Sequence, residues 1–281
     1  MFFFLMYNNH HYRLKMKRFI ILGMIVAIGM ATLLVSCKKD KDEKIGTGPS
    51  NPAYPATAHV IHNAVTDIDG NIYDAVQIGD QVWMAENLRT TRYSDGSEIL
   101  PGVVPSYTAP LRYTPSSNED NVSKYGYLYN WAAVMHGLSS SNHNPSGVQG
   151  ICPSGWHVPS AAEWTELTEF VESHSEYWCD GVSTNIAKAL ASTDGWLEYG
   201  MEDDCLASYN PSANNATGFS GRPAGSYWNG FSYFNYAANF WSATQYSDST
   251  AYGYVFQFDD PEVLLLDYYK DVGYSVRCIR N

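Results

Sequence analysis

The sequence predicts an α+β domain built from short strands and loops with a few helices. Three observations lead there. Short apolar runs alternate with Gly, Asn, Asp and Ser turn signals, which is the pattern of strands joined by loops. Helical periodicity is confined to brief stretches, with no long helical run and no tandem repeat. The composition agrees: 22 tyrosines, 11 phenylalanines and 8 tryptophans stand beside 22 glycines in 281 residues. Aromatic rings favour strands, and glycine favours turns.

Residues 1–36 are expected to precede the folded body. Residues 1–15 read as an upstream extension. Met16-Lys17-Arg18 opens a short basic region, followed by the uncharged run Phe19 to Val35 and then Leu34-Val35-Ser36-Cys37. A basic start, an apolar run and small residues before a cut site describe a secretory signal. The run is also close to the lower limit for a spanning helix, so an uncleaved membrane anchor is the alternative. Cys37 decides between them: "LVSC" resembles the bacterial lipobox, in which cleavage precedes the cysteine and its sulfur takes diacylglycerol. Several acyl chains would then hold the protein, since one chain anchors only marginally. The expected location is the bacterial outer membrane as a lipoprotein, with the membrane as one partner. Residues 37–60 comprise this cysteine and a charged, then Gly/Pro/Ser-rich tether. The Lys/Asp/Glu run directly after Cys37 resembles signals that send some lipoproteins to the outer cell surface.

The body, 61–281, is long enough for one sizeable core. The chain carries a formal net charge of −12, and loss of Arg13, Lys15, Lys17 and Arg18 with the leader takes it to −16. Nucleic acid is excluded as a partner on that charge.

Within the body, Thr66 to Leu88 reads as a meander, with turns at Asp69-Gly70-Asn71 and Gly79-Asp80. Asp67, Asp69 and Asn71 lack the glycine position and distant glutamate of a calcium loop, so a plain turn is expected. Tyr125 to Gly137 fits a short helix ending at Gly137, with Leu128, Trp131 and Met135 on one face. Ser139 to Gly150 is a loop. Gly150 to Phe170 holds a heavily built helix entrance. Ser160-Ala-Ala-Glu163 is a capping box, Pro159 disfavours helix upstream, and Trp164, Leu167 and Val171 form a buried stripe. Ser183 to Ser192 fits a second short helix, and Leu206 to Ser249 a long loop. Ala251 to Phe258, Glu262 to Tyr269 and the C-terminal segment read as strands.

Four cysteines remain after Cys37. An even count in an exported protein suggests disulfides, and four allow three pairings, with free buried thiols the alternative. Cys179 and Cys205 bracket the second helix and would staple it. An interior-looking last strand carrying Cys278 suits a bridge to Cys152.

Six ordered stretches carry a resemblance: "DIDGNIYDAVQIGDQVWMAENLRTTRYSDG", "YGYLYNWAAV", "GICPSGWHVPSAAEW", "ATGFSGRPAGS", "FWSAT" and "GYSVRCIRN". In order, they resemble the Fibrobacter succinogenes major paralogous domain, a family of exported bacterial proteins, many of them lipoproteins, without an established activity. "WHVPSAAEW" and "GYSVRCIR" are more weakly similar to elements of the formylglycine-generating sulfatase-modifying family. That likeness implies a C-type-lectin-like fold: a small twisted antiparallel sheet whose ends lie together, about two main helices beside it, and long irregular loops on one side.

The formylglycine-generating family oxidises a cysteine with a paired-cysteine copper site near the C-terminus. Cys278 has no cysteine neighbour, and no Gly-x-Ser-x-Gly, His-Glu-x-x-His or phosphate loop occurs. An enzyme is therefore not expected, nor any cofactor or metal. Calcium-dependent sugar binding is not expected either, because the Glu-Pro-Asn, Gln-Pro-Asp and Trp-Asn-Asp signatures of C-type lectins do not occur here. A binding or adhesion role is expected instead. Rings flanked by amides complement the flat faces and edge hydroxyls of sugars, as Tyr and Asn serve antibody loops. The candidate ligand-binding residues are Trp228, Asn229, Tyr233, Asn235, Tyr236 and Tyr246, with core packing as the competing role. A glycan or a cell-surface protein is the expected partner, and a protein-docking surface component is the alternative function.

Overall fold

The computed structural model describes residues 59–281 apart from 199 and 201. The leader, Cys37 and the tether through residue 58 lie outside the described residues.

The meander forms as the turn residues predict. Strands β1 (His59–Thr66), β2 (Ile72–Ile78) and β3 (Gln81–Met84) are antiparallel neighbours. Gly79 makes the β2–β3 turn at φ +60, and a Cβ there would lie 2.8 Å from the Phe170 ring. Conformation and space both require glycine. Asp67 anchors the first turn, accepting from the amides of Asp69 and Asn71, both at 2.9 Å, and from the Tyr73 hydroxyl at 2.6 Å. Asp69 is engaged by Thr90, Thr91 and Arg92. These carboxylates serve as turn and loop anchors.

The next elements are short. They are β4 (Leu100–Pro101), β5 (Leu111–Tyr113), α1 (Val122–Tyr125), β6 (Leu128–Tyr129), α2 (Trp131–Met135) and β7 (Trp156–His157). The continuous helix expected over Tyr125 to Gly137 is therefore broken. Gly126 ends α1 at φ +70, where a Cβ would sit 2.6 Å from the Leu88 carbonyl oxygen. Asn130 then starts α2 by accepting a hydrogen bond from the Ala133 amide. Leu128 lies on a strand, and Trp131 and Met135 on the helix.

The long helix, α3 (Ala161–Glu172), has the expected capping box between Ser160 and Glu163 and buries Trp164, Leu167 and Val171. Trp164 is the joint of the fold. Its ring lies 4.7 Å from Trp83 on the meander, and it stacks on Tyr254 at 4.9 Å. It also meets Phe240 at 5.6 Å and Phe219 at 5.7 Å. The entrance is rigid because this one ring must bridge two sheets, and close packing makes any change in its angle costly.

After it come α4 (Ala187–Leu190), β8 (Ser226–Tyr227), β9 (Phe231–Ser232), β10 (Ala237–Gln245), β11 (Thr250–Gln257), β12 (Val263–Tyr269) and β13 (Ile279–Arg280). Among the described residues α3 is the one helix of several turns, against the two main helices expected; α4 spans four residues of the predicted ten. The segment read as a loop from Leu206 to Ser249 contains the β8–β9 hairpin and β10. Ala237 to Thr244 is buried without interruption, so the period-two alternation that would have marked a half-exposed strand is missing.

The principal sheet has the order β1-β2-β3-β13-β7, and a second sheet the order β10-β11-β12. The last strand thus lies beside the meander, with the Met84 amide donating to the Cys278 carbonyl at 3.0 Å. Two disulfides close the described body: Cys152–Cys278, with Cα atoms 5.9 Å apart, and Cys179–Cys205, at 5.4 Å. These are the pairings suggested by the bracketed helix and by the interior last strand.

Candidate functional site

A cleft opens where the loop between β4 and β5 meets α2 and the segment after β12. Asn130 builds one wall. Fully buried, it caps α2, accepts from the Leu111 amide at 2.9 Å, and donates to the carbonyls of Ser106 at 2.7 Å and Ala109 at 2.8 Å. One side chain therefore fixes both the helix start and the loop carrying Tyr107. The loop's far end is tied down as well: the Tyr227 hydroxyl donates to the Val103 carbonyl at 2.8 Å.

The cleft has a volume of about 540 Å³ and is lined by Tyr107, Pro110, Trp131, Leu138, Asp248 and Lys270, among others. That volume lies within the range of small-ligand sites. Trp131 is held by its indole N–H, which donates to the Ser242 carbonyl at 2.9 Å. Lys270 is pinned by its backbone to Ser249 and Trp131. Its ammonium lies 4.5 Å from the centre of the Trp131 ring and donates to Gln245 Oε1 at 3.2 Å and to the Asp248 carbonyl at 3.0 Å. Burial pulls the Lys270 pKa below the usual lysine value, and the Asp248 charge offsets part of that. Tyr107 is half exposed; its pKa is raised by burial, by the Asp271 and Tyr269 charges, and by its hydrogen bond to Asp271.

The six aromatic-loop residues do not form one site. Trp228 and Asn229 are exposed at the tip of the β8–β9 hairpin. Tyr246 is exposed in the β10–β11 turn, two residues from Asp248 of the cleft. Tyr233, Asn235 and Tyr236 are half-buried supports. Asn235 accepts from the Tyr125 hydroxyl at 3.2 Å and its backbone engages Pro223 and Leu197, while Tyr236 meets Phe258 edge-on at 5.0 Å. Tyr233 and Asn235 hold positive φ angles in the turn that leads into β10. The hairpin and the cleft nevertheless share a support. Tyr227 pairs with Gly273, three residues beyond Lys270, and the loop from Val103 to Pro110 runs from hairpin to cleft.

Sequence reasoning missed Tyr107, Lys270 and Asp248. The cleft is assembled from segments far apart in the chain, and no local motif marks any of them. The available signal was the charge-free run Ile99 to Leu111, which contains two of the most exposed apolar residues, Val103 and Val104.

Other buried polar groups are structural. His157 faces Glu163 Oε1 through Nε2 and Asn281 Oδ1 through Nδ1, both at 2.7 Å, deep in the helix entrance. Arg277 donates to the carbonyls of Met84, Phe219 and Ser220 and to Asn87 Oδ1. Cys179, Asp180 and Cys205 lie close together, but the two sulfurs are bonded to each other.

Fold and cleft together define a disulfide-linked α+β domain with a ligand-sized opening among its loops. Residues 76–280 match the family model of the Fibrobacter succinogenes major domain, and the chain belongs to that family. Neither the curated proteins nor the solved structures contain a match.

Proposed function

We propose that this chain is an exported, lipid-anchored protein of the bacterial envelope whose domain recognises a glycan. The observation that carries the reading is the cleft of about 540 Å³ in which Tyr107 and Trp131 meet Lys270 and Asp248. Rings beside polar groups in a preorganised concavity suit sugar faces and hydroxyls. Asn130 supports this reading because its own hydrogen bonds hold the loop, which lowers the ordering cost of binding. Lipidation at Cys37 and placement in the outer membrane, facing outward, rest on the lipobox-like sequence and the charged run behind it. Two disulfides are compatible with such a compartment.

We read the fold as C-type-lectin-like. First and last strands share one sheet, and the loops between them carry the cleft. Binding rather than catalysis is the role we assign, with no cofactor. The shortest histidine–carboxylate contact, His157 with Glu163 at 2.7 Å, is buried in the helix entrance, and the cleft's own His136 is stacked on Tyr93 at 3.6 Å and lies 3.8 Å from Asp95. Protein docking is the second reading, and Val103 and Val104, at 85% and 65% exposure on a pinned loop, favour it.

A glycan array probed with the full chain in detergent tests the proposal. Glycan binding that Tyr107→Ala abolishes at unchanged melting temperature supports it. An array without signal refutes it. Array binding untouched by Tyr107→Ala but lost in Trp228→Ala would move the site to the hairpin.

A further inference from the structure

Three buried cations in this protein lack a carboxylate within ion-pair distance among the described residues: Lys188, Lys270 and Arg277. The choice is notable in a chain with 29 acids against 17 basic residues. Four of its six more exposed described cations do find acids: Arg89, Arg92, Lys124 and Arg222. A buried charge without a counter-charge is costly unless something else stabilises it.

For two of the three, the stabilisation is internal. Arg277 makes four hydrogen bonds to neutral acceptors and lies 4.7 Å from the Phe219 ring centre. Lys188 donates to the carbonyls of Leu206 and Tyr209 and so ties down the following loop. Lys270 differs. It has two neutral acceptors and a ring face, and it alone of the three lines the cleft. An ammonium offers three donors; Lys270 and Lys188 each use two on protein oxygens, and it is the place of Lys270 on the cleft lining that offers its remaining capacity to a ligand. The walls beside it are Tyr107, Pro110 and Leu138, apolar surfaces that fit a pyranose face.

We propose that the cleft takes an acidic saccharide, a sugar bearing a carboxylate or sulfate, whose anionic group is received by Lys270. This rests on the glycan-binding reading and narrows it to a charge class. Asp248, His136 and Tyr107 are the other titratable groups on the cleft, and Tyr107 hydrogen-bonds to Asp271 beside it. Asp248 partly offsets the lysine field, so a single anionic group per bound residue fits better than a dense polyanion.

The test uses matched probes with the full chain in detergent: oligogalacturonate against its methyl ester, and sulfated against unsulfated galactan. At least one acidic probe should bind about tenfold or more tightly than its neutral partner, a difference of about 1.4 kcal/mol. That preference should weaken with added salt, because it is electrostatic. Lys270→Arg should keep the preference, and Lys270→Gln should abolish it. If Lys270→Gln fails to fold, the salt dependence in the unaltered chain decides. Equal affinity for charged and neutral partners overturns the inference and leaves glycan recognition standing. Failure of both acidic probes, with neutral glycans bound on the array, does the same. An array with no signal at all removes both.

Discussion

Removing the two disulfides separately gives a quantitative test of how the body is closed. Cys152–Cys278 spans 126 residues and Cys179–Cys205 spans 26. If the bridges act by restricting the unfolded chain, the chain-entropy relation assigns about 5 kcal/mol to the first and about 3.5 kcal/mol to the second. The ratio of loop lengths alone makes a difference of about 1.4 kcal/mol. Local packing acts in the same direction. Cys152 and Cys278 are both fully buried, while Cys179 is only half-buried, so alanine leaves the larger void at the first site. The first bridge also sits beside the register that pairs Ile279 with His157 and Arg280 with Trp156. The assay is urea unfolding of C152A/C278A and C179A/C205A without reductant, followed by tryptophan fluorescence and extrapolated to water. A loss in C179A/C205A equal to or larger than that in C152A/C278A refutes the reasoning. So does a loss below about 2 kcal/mol in C152A/C278A, since that falls under the usual range for native bridges.

Two further expectations concern buried polar groups. Burial opposes charge on His157, but its hydrogen bonds to Glu163 and Asn281, with the Glu163 charge, raise its pKa above the ordinary value. A raised folded-state pKa stabilises fully below the unfolded value of about 6.5 and fades as pH rises through the folded value. The stability gap between the unaltered chain and His157→Gln should therefore shrink from about pH 6 to about pH 9; a gap that is constant or widens, measured by urea unfolding across that window, contradicts the pairing. Burial, together with the Arg222 charge, pulls the Arg277 pKa down to about 9, which keeps it cationic at neutral pH. Arg277→Met strands four acceptors and should cost at least about 3 kcal/mol; a thermal or urea measurement showing less than about 1 kcal/mol would mean that water replaces the guanidinium.

Much of the fold was legible because its signals are local. Gly70 and Gly79 mark the meander turns, and Ser160 with Glu163 marks the helix start; each device works within a few residues of itself. The disulfides followed from an even cysteine count and from where the cysteines fell. Strand β10 was hidden because it is buried on both faces, and the break at Gly126 because it depends on the Leu88 carbonyl, which lies far off in sequence. The candidate site was the least legible part. Rings between Leu206 and Ser249 are dense in the sequence, yet Tyr236 packs against Phe258 and Tyr233 is half-buried, while Tyr107 and Lys270 stand in ordinary-looking segments that only tertiary contacts unite. Composition locates aromatic supply; it does not say which rings are left facing solvent.

The most direct measurement is hydrogen exchange on the full chain with and without each acidic probe, oligogalacturonate and sulfated galactan. With at least one of them, the account predicts added protection concentrated at residues 107–111, 131–138 and 245–250, around Lys270. Protection centred on residues 228–236, or none at the cleft with either probe, would contradict it.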